Sequence, residues 1–147
     1  FNWYVTPENS LKISVDGTPI SISSTDTLKN PSVRISAAKS FGDINLLVNN
    51  NACAIVQSSG AASVAVKGIT AKLTITCNGA GPMEFFDLKA QKVEVSTKGQ
   101  NDIYLHAEKE LKATIENIGN VYYRGEPEEI SRNGSGPGKL ISLDRIR

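Results

Sequence analysis

The stretch L-T-I-T-C-N-G-A-G-P-M-E-F-F (Leu73–Phe86) is written again twenty residues later as V-E-V-S-T-K-G-Q-N-D-I-Y-L-H (Val93–His106). Leu73 falls on Val93, Ile75 on Val95, Gly79 on Gly99, Met83 on Ile103 and Phe85 on Leu105. Each copy reads as an alternating strand, a glycine turn and a second alternating strand, because a period of two marks a half-buried strand. The repeat extends both ways. Ile35, Ile55, Ile75, Val95 and Ile115 recur at a spacing of 20 and read as one column without slippage. A second apolar ladder runs Ile44, Val64, Met83, Ile103, Val121 and Leu140, at spacings of 20, 19, 20, 18 and 19.

Self-similarity at a fixed period of this size is the signature of a solenoid. A leucine-rich repeat has a similar period, but its asparagine-and-leucine consensus is absent and no helical half follows each strand. The expected fold is therefore all-β: a right-handed parallel β-helix of about six coils of ~20 residues, each stacked about 4.8 Å above the last. One domain is expected over residues 1–147. Residues 1–32 read as an irregular first coil and cap, 33–125 as regular coils, and 126–147 as a closing coil. The aromatic lead-in F-N-W-Y-V-T-P (Phe1–Pro7) reads as an end cap, and Ser24–Pro31 as a loop.

Turn chemistry fits this frame. Turns are expected at Ser40–Asp43, Ser58–Ser63 and Asn117–Asn120, with glycine supplying positive φ. Asp43, Asp102 and Asn120 are placed to bond backbone groups of those turns. The run N-G-S-G-P-G (Asn133–Gly138) reads as flexible.

Composition removes several function classes. The formal net charge is +1, from 16 basic and 15 acidic residues spread along the chain. That is no footprint for nucleic acid or an anionic membrane. No apolar run approaches a spanning helix. The first residue is Phe1, so the chain reads as processed or cut, with any signal peptide already out of view.

Chemistry-bearing motifs are sparse. One histidine, His106, excludes histidine-based metal sites, and neither a P-loop nor a dinucleotide fingerprint is present. The glycine-aspartate turns lack the double-glycine nonapeptide of calcium-binding β-rolls. No metal, cofactor or catalytic residue is expected. Cys53 points inward with Ile55 and reads as a buried structural thiol. Cys77 aligns with Gln57, which sets the two cysteines about 14 Å apart, beyond the ~7 Å a disulfide spans. Glu94 and Glu116, one coil apart and two positions along in this register, would stand about 8 Å apart, within the range of an inverting glycosidase. Without a cleft they read as solvated surface.

The outward positions of the second strand are richer. With Met83, Ile103 and Val121 inward, the outward ladders are Glu84–Tyr104–Tyr122 and Phe86–His106–Arg124. Aromatics and arginine are enriched at interfaces, which makes these six residues the candidate binding patch. They also suit a purely stabilising stack of rings on the sheet.

The cadence F-G-D-I-N-L, Q-N-D-I-Y-L and I-G-N-V-Y-Y-R-G, closed by V-Y-Y-R-G-E-P (Val121–Pro127), resembles the auto-transporter adhesin family called head GIN. The similarity is read over roughly Val33 to Leu143. It implies a bacterial, exported β-helical protein at the cell surface or in the periplasm, and it carries over no catalytic residues. The functional expectation is a non-enzymatic adhesin-like or envelope structural module that binds glycan or protein. A carbohydrate-active β-helix enzyme and a homo-oligomer building block are the alternatives.

Overall fold

Branched apolar residues at every second position drive the chain into strands, and their burial turns those strands into stacked coils. The computed structural model describes residues 11–144 apart from 18, 25, 26, 30 and 40. The expected Phe1–Pro7 cap lies outside the described residues. In chain order the strands are β1 (Leu11–Asp16), β2 (Pro19–Ser23), β3 (Ser32–Ala38), β4 (Phe41–Gln57) and β5 (Ser63–Cys77). They continue as β6 (Met83–Thr97), β7 (Ile103–Ile115), β8 (Val121–Arg124), β9 (Glu129–Asn133) and β10 (Leu140–Ser142). Every pairing between them is parallel, and no helix occurs among the described residues. The chain is an all-β solenoid of about six turns.

The second apolar ladder is an unbroken column. Ile22, Ile44, Val64, Met83, Ile103, Val121 and Leu140 are register partners in successive coils. The first column begins at Ile13 and follows Ile35, Ile55, Ile75 and Val95. There it departs from the even spacing, because Val95 pairs with Ala113 and Ile115 pairs with Thr97. The reason lies upstream in β6. Phe85 pairs with Leu105, yet the next pair is Lys89 with His106, so β6 holds three residues that β7 lacks; β7 regains one between Ala107 and Glu110. The coil is two residues short, which is the step of 18 already present between Ile103 and Val121.

β4, β5 and β6 are longer than the expected strands because one corner of each coil bends without breaking the ladder. In β4 the inward set Ile44, Leu46, Val48 hands over to Cys53, Ile55, Gln57 across Asn49–Ala52. The expected turn at Ser40–Asp43 starts earlier, since Phe41 is already strand and Lys39 takes φ 52°.

The turn glycines divide into two kinds. Gly42 and Gly60 have φ of 109° and 90°. Gly79, Gly99 and Gly119 do not adopt positive φ; they are glycine because the coil beneath is too near for a side chain. A Cβ on Gly99 would strike the carbonyl oxygen of Gly79, and one on Gly119 that of Asn101. Asp102 and Asn120 likewise bond across coils instead of within their own turns. Asp102 Oδ1 accepts from Asn120 N at 2.9 Å, and Asn120 Oδ1 accepts from Lys139 N at 2.8 Å.

Beside the aliphatic columns runs a buried polar one: Gln57, Cys77 and Thr97 are register partners. Gln57 Nε2 donates to Ala62 O at 2.6 Å, and the Cys77 thiol lies 3.4 Å from Gln57 Oε1 and 3.2 Å from Asn101 Oδ1. Gln57 and Cys77 fasten the turns, as buried polar groups seek partners, whereas Thr97 Oγ1 has none among the described residues. At the other end, the run Asn133–Gly138 is tied down chiefly by Arg132. The Arg132 guanidinium donates to the carbonyls of Asn133, Gly134, Gly136 and Gly138 at 2.7–3.2 Å.

Candidate functional site

The outward residues of β6, β7 and β8 form the candidate patch, and register decides how they meet. Glu84 pairs with Tyr104 and Tyr104 with Tyr122, as the expected ladder requires. The two tyrosine rings stack with centroids 5.1 Å apart and planes within 11°. The step between coils is close to that distance, so identical residues at one register position stack without adjustment.

The second expected ladder is altered. His106 pairs with Arg124 on one side but with Lys89 on the other, so Phe86 is not its register partner. Phe86 stands in the extra residues of β6 and turns toward the tyrosines instead. Its ring meets Tyr104 edge to face, with centroids 5.1 Å apart at 73°, an arrangement the ring quadrupole favours. The Arg124 guanidinium carbon lies 4.5 Å from the Phe86 centroid, within cation–π range. His106 Nε2 is 3.2 Å from Glu108 Oε1. The structure thus brings Phe86, Tyr104, Tyr122 and Arg124 into one cluster, with Glu84 at its foot and His106 at its side.

Exposure and charge set what this cluster can do. Phe86, Tyr104 and Tyr122 are half-buried, and Glu84 and Arg124 are exposed. Partial burial, then the Asp102 carboxylate, Tyr122 and Glu84, push the Tyr104 phenol above its ordinary range. It therefore stays a neutral hydroxyl, both donor and acceptor. Asn120 Nδ2 donates to the Tyr122 hydroxyl at 3.2 Å. The tyrosine faces are turned on each other, so ring edges and hydroxyls meet the solvent.

Residues that sequence reasoning missed lie on the N-terminal side. Ala65, Val66, Lys67 and Asp87 join Glu84, Phe86 and Tyr104 around a depression of ≈ 210 Å³. The short step of 18 signalled a change of register here, but not which outward side chains would meet.

The paired-glutamate geometry does not assemble in the register observed. Glu94 pairs with Lys112, and Glu116 N bonds Thr97 O, so the two glutamates are four positions apart instead of two. At roughly 3.3 Å per residue that separation is too wide for the paired-carboxylate geometry. The Glu116 carboxylate also accepts from Ser135 N at 3.3 Å and Oγ at 3.1 Å. Cys53 and Cys77 are free and buried, and burial pushes the Cys53 thiol up to about 12. Burial raises Cys77 as well, opposed by its hydrogen bonds with Asn101 and Gly79. Among the described residues no group of three or more His, Cys, Asp or Glu is placed to hold a metal, and no helix is long and apolar enough to cross a membrane.

Fold and patch together define a class: a parallel β-solenoid whose distinctive side chains are displayed on the outer wall of stacked coils. The chain belongs to the family described as "Putative auto-transporter adhesin, head GIN domain", which matches residues 1–127. The match takes in the first thirty residues and stops short of the closing coil, so it lies further toward the N-terminus than the motifs alone suggested. Among solved structures, the chain is similar to a putative adhesin from Bacteroides fragilis NCTC 9343. The two are 16% identical, with a TM-score of 0.62 over 96% of this chain and 94% of that one, a likeness of fold. No curated protein matches the chain.

Proposed function

We propose that this protein is a non-enzymatic, exported adhesin-like module, acting at the cell surface or in the periplasm, whose contact face is the Phe86–Tyr104–Tyr122–Arg124 cluster. The observation that carries the reading is the half-exposure of three clustered rings on the outer wall. A rigid stack loses little conformational entropy on binding, and aromatics with arginine dominate interface energetics. Glu84 and Arg124 flank the rings and supply charge-assisted hydrogen bonds that fix orientation. Family membership supports the adhesin-like role and the exported location.

The test is a Tyr104→Ala, Tyr122→Ala double variant, assayed on immobilised mucin glycans and extracellular-matrix proteins. Surface binding by the wild type should fall at least tenfold while circular dichroism is unchanged. A second pair, Tyr104→Phe with Tyr122→Phe, keeps the stack and removes the hydroxyls, so it separates recognition from stability. Undiminished binding by a folded double alanine variant overturns the assignment.

A further inference from the structure

The outward column that carries the tyrosine pair runs far beyond the patch, on one side to Ile141 of β10. Ser23, Asn45, Ala65, Glu84, Tyr104 and Tyr122 are register partners in successive coils. The five steps from Ser23 to Tyr122, at about 4.8 Å each, span roughly 24 Å along the solenoid axis. Ala65 is its short member, set between Asn45 and Glu84, so the wall dips there. In the next coil the extra residues of β6 lift Phe86 and Asp87 beside the dip. A second depression of ≈ 340 Å³ shares Ala65 and Lys67 with the first and leads on to Ser23, Ser24 and Asn45. The two make one open trough that crosses the strands.

Resting on the contact-face reading, we infer that this trough binds an uncharged linear glycan laid along the solenoid axis. Direction is the first argument. The column's main-chain N–H and C=O groups are engaged in the inter-coil ladder, so an extended peptide cannot add as a strand, and recognition falls to side chains. Chemistry is the second. Ser23, Asn45, Lys67, Glu84 and Asp87 offer hydroxyl, amide, ammonium and carboxylate groups, the partners that sugar hydroxyls take. Charge is the third. One lysine faces two carboxylates, an excess of one negative charge that disfavours uronate, sialate or phosphate. The stacked tyrosines close the trough with ring edges and hydroxyls at its C-terminal end.

The experiment titrates cellohexaose, xylohexaose, maltohexaose and chitohexaose into the whole chain by calorimetry, with hexagalacturonate as the acidic counterpart and an unstructured hexapeptide as the alternative class. At least one uncharged hexamer should bind, its disaccharide at least tenfold more weakly, and hexagalacturonate more weakly too. Ala65→Phe fills the dip and should weaken hexamer binding at least tenfold with the circular dichroism unchanged. If Ala65→Phe does not fold, Lys67→Ala, at an exposed position, should show a severalfold loss. The inference is overturned if no uncharged hexamer binds, if hexagalacturonate or the peptide binds more tightly, or if folded trough variants bind like the wild type. Retained hexamer binding by folded Ala65→Phe alongside loss of adhesion in the tyrosine variant overturns the trough alone. Retained adhesion in the tyrosine variant overturns the contact face.

Discussion

Cys53 shows how a single position can carry both packing and a pH dependence. The residue is 1% exposed, in register with Val33 and Leu73, and among the described residues no hydrogen bond offsets its burial. The thiolate has no stabilising partner there, so the folded-state pKa rises from 9.0 to about 12. Between those values the unfolded chain releases the proton and the folded chain keeps it. The stability that Cys53 contributes is thus complete below about pH 9 and is lost as pH rises toward 12. The slope approaches 1.4 kcal/mol per pH unit at its steepest. Cys53→Val should flatten the loss of stability between pH 9 and 11 in urea melts; an unchanged alkaline slope would place the titration elsewhere. Cys77, held by Gln57 and Asn101, serves the turns instead, and both thiols should titrate only on unfolding.

At the scale of the strand, the columns are what hold neighbouring coils in register. Ile75 of β5 is fully buried between Ile55 of β4 and Val95 of β6. Ile75→Ala should cost about 2–5 kcal/mol, since a close-packed column cannot collapse into the gap. A loss below about 1 kcal/mol would show that the column relaxes freely. Inward positions were legible in the sequence because hydropathy reports each one directly: Ile35 to Val95, and Ile44 to Leu140, stack as their spacing says. The bulge in β6 was not, because its extra residues Phe86, Asp87 and Leu88 set two outward-facing side chains before the inward Leu88 and break the apolar period. Read at a constant 20, Ile115 lands on Val95 and Phe86 on His106; the observed register moves both. The glycines were legible as turn residues, but their cause was not. A positive φ is a property of one residue, whereas the close approach at Gly99 and Gly119 depends on the coil below.

The whole molecule behaves as a stack in which each coil touches its neighbours, so a coil should be removable if the register is kept. Asn50 pairs with Thr70 and Ala52 with Lys72, which makes Asn50 and Ala71 consecutive in register. Deleting residues 51–70 therefore splices β4 into β5 with inward and outward faces preserved. The shortened chain should fold, with parallel-sheet circular dichroism. Its urea m-value should be lower by roughly one-sixth, because m scales with the surface exposed on unfolding. Deleting residues 51–60 instead brings one wall of a coil onto the other and should abolish the fold. The full-coil deletion also separates the two functional readings. It removes Ala65 and Lys67 from the trough, but the stacked pair Tyr104 and Tyr122 lies two coils further on, with Glu84 and Phe86 beneath it. Hexasaccharide binding should be lost in the shortened chain while contact through the tyrosine face persists. Survival of hexasaccharide binding would place the glycan on the rings, and loss of the fold would mean that the coils do not act as independent layers.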